Sequence, residues 1–294
     1  MEQYIITEKC STLRMLGREA LKGRWKLAFA AMLIFCAAVY IPSLVLSEMF
    51  KNMPAISSIY SILIAGPLSL GYAIFALRLF RNDGPGVGQI FYGFERFGKS
   101  LALYLLISLF VFLWALIIVP GIILAVFVHF FIPFVFLLAI PAILAGIRYS
   151  QAFYILADHP EMGAMSCIES SKTLMAGNKM KYFLLNLSFI GWGALACIPV
   201  MAFTTIITKN ALQAAGPGAL TGPLAGEMLV ANSLSFGSIA LMLVSSLGLV
   251  VLKVYMMAAM TGFYEVASGN LRPGYITSTA EIIDGAEQAK EEDL

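Results

Sequence analysis

Apolar residues in this chain come in long unbroken blocks, parted by short stretches of glycine, charge and hydroxyl groups, without the alternation of a strand or a soluble amphipathic helix. A hydrocarbon core about 30 Å thick needs roughly 20 apolar residues at 1.5 Å each, because a helix in lipid must satisfy its own backbone hydrogen bonds. Six blocks meet that demand, over residues 27–46, 59–79, 101–119, 122–147, 183–207 and 239–262. They predict an all-α polytopic membrane protein with one membrane domain over residues 1–269 and an acidic, flexible cytoplasmic tail over 270–294. The third and fourth blocks meet at Val119, Pro120 and Gly121, which predict a tight helical hairpin. A single kinked helix is the alternative, but its length would far exceed one bilayer crossing.

The stretches between the blocks carry a second pattern. Short amphipathic segments end at Gly23, Gly98 and Gly177, each followed within two positions by a cation and then by an apolar block. The strings LKGRWKLAFAAM, RFGKSLALYLLI and MAGNKMKYFLLN suggest three repeats of surface helix plus hairpin. The alternative is that any such junction favours a glycine stop and a headgroup-anchoring cation. The clearest surface helix is expected over about Pro160 to Ala176, with Asp158 and Glu161 as a capping box and Met162, Met165, Ile168 and Met175 on its apolar face.

Composition sharpens the class: of 294 residues 60% are hydrophobic and only 12% charged, against about a quarter charged in soluble domains. The net charge of +2 points to no nucleic-acid partner, so the placement of charge carries the information. Of nineteen Lys and Arg residues, all but Lys51, Lys209 and Lys253 fall in the N-terminal arm, the second and fourth connections, or the tail. The positive-inside tendency then puts both termini in the cytoplasm. The first apolar block is too long for a signal-peptide core and is expected to remain as a spanning helix. Cys10, Cys36, Cys167 and Cys197 show no CxxC spacing and predict neither a disulfide framework nor a metal site.

Strings from Trp114 to Trp192, notably LWALIIVPGII and YSQAFYILADHPEMGAMSCIESSKTLMAGNKMKYFLLNLSFIGWGAL, resemble the bacterial membrane family known as domain of unknown function 975. REALKGRWKLAF near the N-terminus and AAMTGFYE near the C-terminus resemble the family's flanking elements. The resemblance implies a multi-pass protein of a bacterial cytoplasmic membrane and brings no activity with it. A more distant similarity to the membrane domain fused to some glycerophosphodiester phosphodiesterases implies at most an accessory membrane module. His159 stands where the family pattern has asparagine, and a long apolar insertion follows Gly121.

No Walker A, HExxH or GxSxG string occurs, and Gly84, Gly86 and Gly88 read as a flexible connection. His129 and His159 each lack a second histidine nearby and read as structural. Lys253 is the candidate site residue, since a charge deep in a spanning helix costs about 2.5–3.5 kcal/mol unless it is paired or reaches water. Either it snorkels outward over roughly 14 Å, or it faces a polar cleft with Asn186 and Ser188 and holds an anionic headgroup or substrate. No Asp or Glu falls mid-window, which disfavours ion-coupled transport. Gly66, Pro67, Gly71, Pro141 and Pro199 are candidate helix breaks around a cavity.

The function read from these features is a non-enzymatic membrane scaffold or accessory module, with membrane lipids and a protein held at its cytoplasmic surface as partners and no cofactor. The alternative is a permease or exporter of a lipid-like or peptide substrate. An enzyme acting on lipid ranks third for want of a catalytic constellation.

Overall fold

The computed structural model describes residues 4–50, 53, 55–127, 132–215 and 236–271. The sequence also reads as an outer loop over Asn210 to Ser233; its first residues, to Ala215, are helical, whereas the rest of it, the tail beyond Leu271 and His129 lie outside the described residues. Among the described residues six helical runs are long and apolar enough to cross a membrane: Trp25–Met49, Ala55–Arg81, Val87–Ile122, Leu137–Asp158, Lys179–Ile206 and Leu247–Ala267. Each overlaps a predicted window, Val87–Ile122 also reaching the first residue of the fourth, and the chain is an all-α polytopic membrane protein.

In chain order the elements are α1 (Cys10–Leu21), α2 (Trp25–Met49), α3 (Ala55–Arg81), a 3₁₀ segment (Val87–Arg96), α4 (Phe97–Ala115) and α5 (Ile118–Phe127). They continue with α6 (Ile132–Tyr149), α7 (Ala152–Asp158), α8 (Ala164–Leu174), α9 (Lys179–Leu187), α10 (Ile190–Ala215) and α11 (Phe236–Ala267). The reversal predicted at Val119–Gly121 is not there. The helix breaks earlier, at Leu116 and Ile117, and Pro120 falls in the first turn of α5. A proline is tolerated at that place because first-turn N–H groups have no partner within the helix.

The residues divide into two compact units, one formed by residues up to Leu185 and from Met257 onward, the other by Asn186–Met256. In the first unit α3 is the hub, packed against α1, α2, the 3₁₀ segment, α4 and α7. Its second half is the most enclosed part, with Leu68, Leu70, Phe75 and Leu79 buried. The pairing of α2 with α3 is antiparallel, as Arg24 Nη1 donates to the Leu79 carbonyl at 3.1 Å, Phe35 meets Tyr72 with centroids 5.1 Å apart, and Tyr60 donates to the Ala38 carbonyl at 2.8 Å. Further along, Leu33, Ile34, Ile41 and Leu44 of α2 and Leu105, Leu109 and Phe112 of α4 are exposed, as expected of lipid-facing sides.

Gly66, Pro67 and Gly71, read from sequence as helix breaks around a cavity, instead form a seat. A Cβ on Gly71 would overlap the Ile90 carbonyl, one on Gly93 would overlap the Pro67 carbonyl, and one on Gly66 would strike Ser100. Small residues let backbones approach this closely, and in lipid such packing takes the part that burial from water plays in soluble proteins. The 3₁₀ segment is thereby clipped onto α3.

The three-repeat pattern holds at its two ends only. Gly23 and Gly177 have φ of 75° and 80° and stand two residues before α2 and α9, so each reverses the chain where an L side chain would be strained. Gly98 lies inside the first turn of α4 and ends nothing. The helix expected from Pro160 is α8, which starts at Ala164 after Gly163 with no side-chain cap. Its buried positions are Cys167, Ile168, Ser171 and Leu174, while Met165 is exposed. That face packs on α4, α6 and α7, where an interfacial helix would meet lipid.

In the second unit α10 and α11 run antiparallel. Phe189, just before α10, meets Tyr255 edge-on at 5.3 Å, and a Cβ on Gly193 would lie 3.7 Å from Leu252 and one on Gly248 3.6 Å from Ala196.

Candidate functional site

The structure gathers its charged groups at helix ends in the first unit. Arg81 is the last residue of α3, Asp158 the last of α7, and Glu265 lies in the final turn of α11. The guanidinium donates from Nη1 and Nη2 to the two Asp158 carboxylate oxygens at 2.6 and 2.7 Å, and from Nε to Glu265 Oε1 at 2.8 Å. Tyr264 donates its hydroxyl to Asp158 Oδ2 at 3.0 Å. The Glu265 side chain is 4% exposed and that of Arg81 37%, so the cluster runs from the core to the surface.

Electrostatics explain why one arginine holds both acids. Helix C-termini carry partial negative charge, so carboxylates at the ends of α7 and α11 sit where the helix dipole opposes them. Arg81 answers two acids and two dipole ends with a planar, permanently charged fork that lysine could not reproduce. Beside it Tyr154 stacks on Tyr264 at 5.4 Å, and Thr261 donates to the Tyr154 hydroxyl at 3.3 Å. The N-terminal segment is tied in by Asn178, which is fully buried. Its Oδ1 accepts from the Ile6 N–H at 2.9 Å, and its Nδ2 donates to the Tyr4 and Leu174 carbonyls at 2.8 and 3.0 Å. The Tyr4 N–H in turn donates to the Ala267 carbonyl at 3.1 Å.

Sequence reasoning misplaced Asp158 and passed over Glu265. Asp158 does not cap α8, because its carboxylate is taken by Arg81 and Tyr264, and Glu161 is exposed beside His159 with 3.3 Å between Oε1 and Nδ1. The available signal was that Glu265 ends an uncharged run from Val254 to Tyr264.

The sequence-predicted site residues belong to the second unit. Asn186 and Ser188 are half-buried at the end of α9 and just past it, and the Phe189 packed on Tyr255 brings that junction close to the turn of α11 carrying Lys253. Lys253 itself is exposed. Helical geometry puts it about 130° around α11 from the stripe of Gly248, Leu252 and Tyr255 that faces α10. Among the described residues no three His, Cys, Asp or Glu side chains gather as a metal site would require.

A family model described as protein of unknown function (DUF975) matches residues 7–270. The chain belongs to the DUF975 family. The matched stretch includes all three members of the DUF975 chain's charge cluster, together with Asn178 and the 3₁₀ segment. No curated protein and no solved structure matches the chain.

Proposed function

We propose that this DUF975 protein is a non-enzymatic scaffold or accessory module of the bacterial cytoplasmic membrane, with both termini in the cytoplasm. The observation that carries the reading is the Arg81–Asp158–Glu265 latch, which commits its charges to joining the ends of α3, α7 and α11. A transport or catalytic site needs polar groups whose bonds can be exchanged with a substrate, whereas these are closed on one another. The latch fixes the ends of helices whose outer neighbours, α1 and α8, present charged and polar residues: Arg18 and Lys22 at α1, Glu169 and Thr173 on α8. A rigid polar platform at the membrane suits the docking of a protein partner.

Crosslinking in native membranes followed by purification of the full chain tests this. One partner at equimolar amount, lost on charge reversal of Arg18 and Lys22, is the expected result. Flux of a lipid or peptide across vesicles of the purified chain, with no partner recovered, overturns it in favour of a permease. Cysteines placed at Arg96 and Lys172 should resist an impermeant maleimide in intact cells and react after permeabilisation, as cytoplasmic placement requires.

A further inference from the structure

The outward side of the 3₁₀ segment differs from the lipid-facing sides of the long helices. Phe91, Tyr92, Phe94 and Phe97 are each between 38% and 48% exposed within seven residues of chain. Arg78 stands over the Tyr92 ring at 5.7 Å, and Phe91 stacks on Phe94 at 6.4 Å. Beside them an open groove of about 460 Å³ is lined by Phe94, Glu95, Arg96, Phe97, Lys99 and Pro160, with Gly98 completing its wall.

Two cations and one carboxylate line that groove, so it is electropositive. Lys99 is held in place, as its Nζ donates to the Pro160 and Glu161 carbonyls at 2.8 and 3.1 Å. An ammonium has three donors, so one N–H of Lys99 stays available for an anion. The groove is also fixed in shape, because the 3₁₀ segment is seated on α3 through Gly71 and Gly93 and cannot roll its aromatic side inward.

We propose that this groove binds the phosphate of an anionic phospholipid between Arg96 and Lys99. The collar of exposed rings then lies at the boundary between headgroups and acyl chains. Charge complementarity selects the anion, Tyr92 is a ring of the amphipathic kind that the membrane interface favours, and phenylalanines beside cations are what a segment lying in that interface presents to lipid. A soluble phosphate would use the cations and leave four aromatic faces in water, whereas a lipid occupies both halves of the site.

The test uses the purified full chain in neutral phosphatidylcholine nanodiscs, titrated with headgroup-labelled phosphatidylglycerol. Arg96→Gln with Lys99→Gln should weaken binding roughly 30-fold, a little over fivefold for each cation lost near an anionic surface. Lys9→Gln with Lys26→Gln, which removes equal charge at two exposed positions of the N-terminal arm, should leave binding within twofold. As a measurement independent of those substitutions, a benzoylphenylalanine placed at Phe94 in the otherwise unchanged chain should crosslink to phosphatidylglycerol in preference to phosphatidylcholine. Equal loss in both double variants, crosslinking without headgroup preference, or competition by inorganic phosphate at the concentration at which the lipid binds would each overturn the proposal.

Discussion

Arg81 grips Asp158 through two parallel hydrogen bonds, Nη1 to Oδ1 at 2.6 Å and Nη2 to Oδ2 at 2.7 Å, across 77 residues of sequence. The same guanidinium reaches Glu265 at a separation of 184 residues, so a single side chain closes the bundle between its early and late helices.

Removal of that side chain should therefore cost more than removal of either acid. Arg81→Gln leaves two carboxylates at helix C-termini without a cation, and breaking a fully buried pair costs about 3–5 kcal/mol. The Arg81 side chain is 37% exposed and only Glu265 is deeply buried, so the expected loss falls below that range, at about 1–3 kcal/mol. Glu265→Gln leaves the bidentate Asp158 pair intact and should cost less than half as much. Melting curves of the purified chain in detergent, followed by fluorescence-detected size exclusion, check the order; equal melting temperatures for Arg81→Gln and wild type would mean that the latch does not hold the bundle.

That latch also marks where the sequence stops being readable. The spans could be read because hydrocarbon imposes length and apolarity on each helix separately, a local constraint. The bond between Arg81, Asp158 and Glu265 is long-range, and each residue alone has an ordinary local explanation: an orientation charge, a helix cap, a helix end. Pro120 and Gly121 misled for a related reason, since proline and glycine mark helix starts as well as stops, and only the turn at Leu116 and Ile117 decides which. Lys253 drew notice because it is a charge in an apolar run, yet it lies exposed off the stripe that faces α10.

The seat of the 3₁₀ segment gives a sharper steric prediction. A methyl at Gly71 or Gly93 would meet a backbone carbonyl, which has no rotamer to yield, so Gly71→Ala and Gly93→Ala should each destabilise by about 1–3 kcal/mol or more. A Cβ on Gly146 would meet nothing within 4 Å, and the residue lies inside α6, so Gly146→Ala should stabilise by about 0.5–1 kcal/mol. Opposite signs in one thermal assay are the expected outcome, and destabilisation by all three would show that helix crowding in general, and not this contact, limits the fold.

Asn178 offers a test of how the N-terminal segment is held. Its amide satisfies the Ile6 N–H and the Tyr4 carbonyl at once, so Asn178→Ala strands buried backbone groups at a cost of about 1–3 kcal/mol. The consequence should be local, because the segment then keeps only the Tyr4 N–H to Ala267 carbonyl bond, among the described hydrogen bonds, and the packing of Ile6. Limited proteolysis should cut near residues 4–9 several-fold faster in Asn178→Ala than in wild type, with the bundle surviving. Unchanged cleavage would mean that Ile6, buried at 4% exposure, holds the segment by packing alone.

Cys167 supplies a chemical probe of α8. Its side chain is fully buried, and burial pushes the thiol above its ordinary value, with Lys99 opposing and Glu161 reinforcing. The thiolate is the reacting species, so Cys167 in a Cys10→Ala, Cys36→Ala, Cys197→Ala background should alkylate far more slowly than the half-buried Cys10 in the matching background. The sign of the pH effect on stability follows. Above an ordinary thiol pKa of about 8.5 the unfolded chain releases this proton while the folded chain keeps it, so the thiol's contribution to stability falls as pH rises further. Replacement of Cys167 by alanine should flatten the decline in melting temperature between about pH 8.5 and 10, even though it lowers stability at pH 7 by opening a small cavity. Rapid alkylation of Cys167 at neutral pH would instead place α8 away from α4, α6 and α7, and with it the carbonyls that position Lys99.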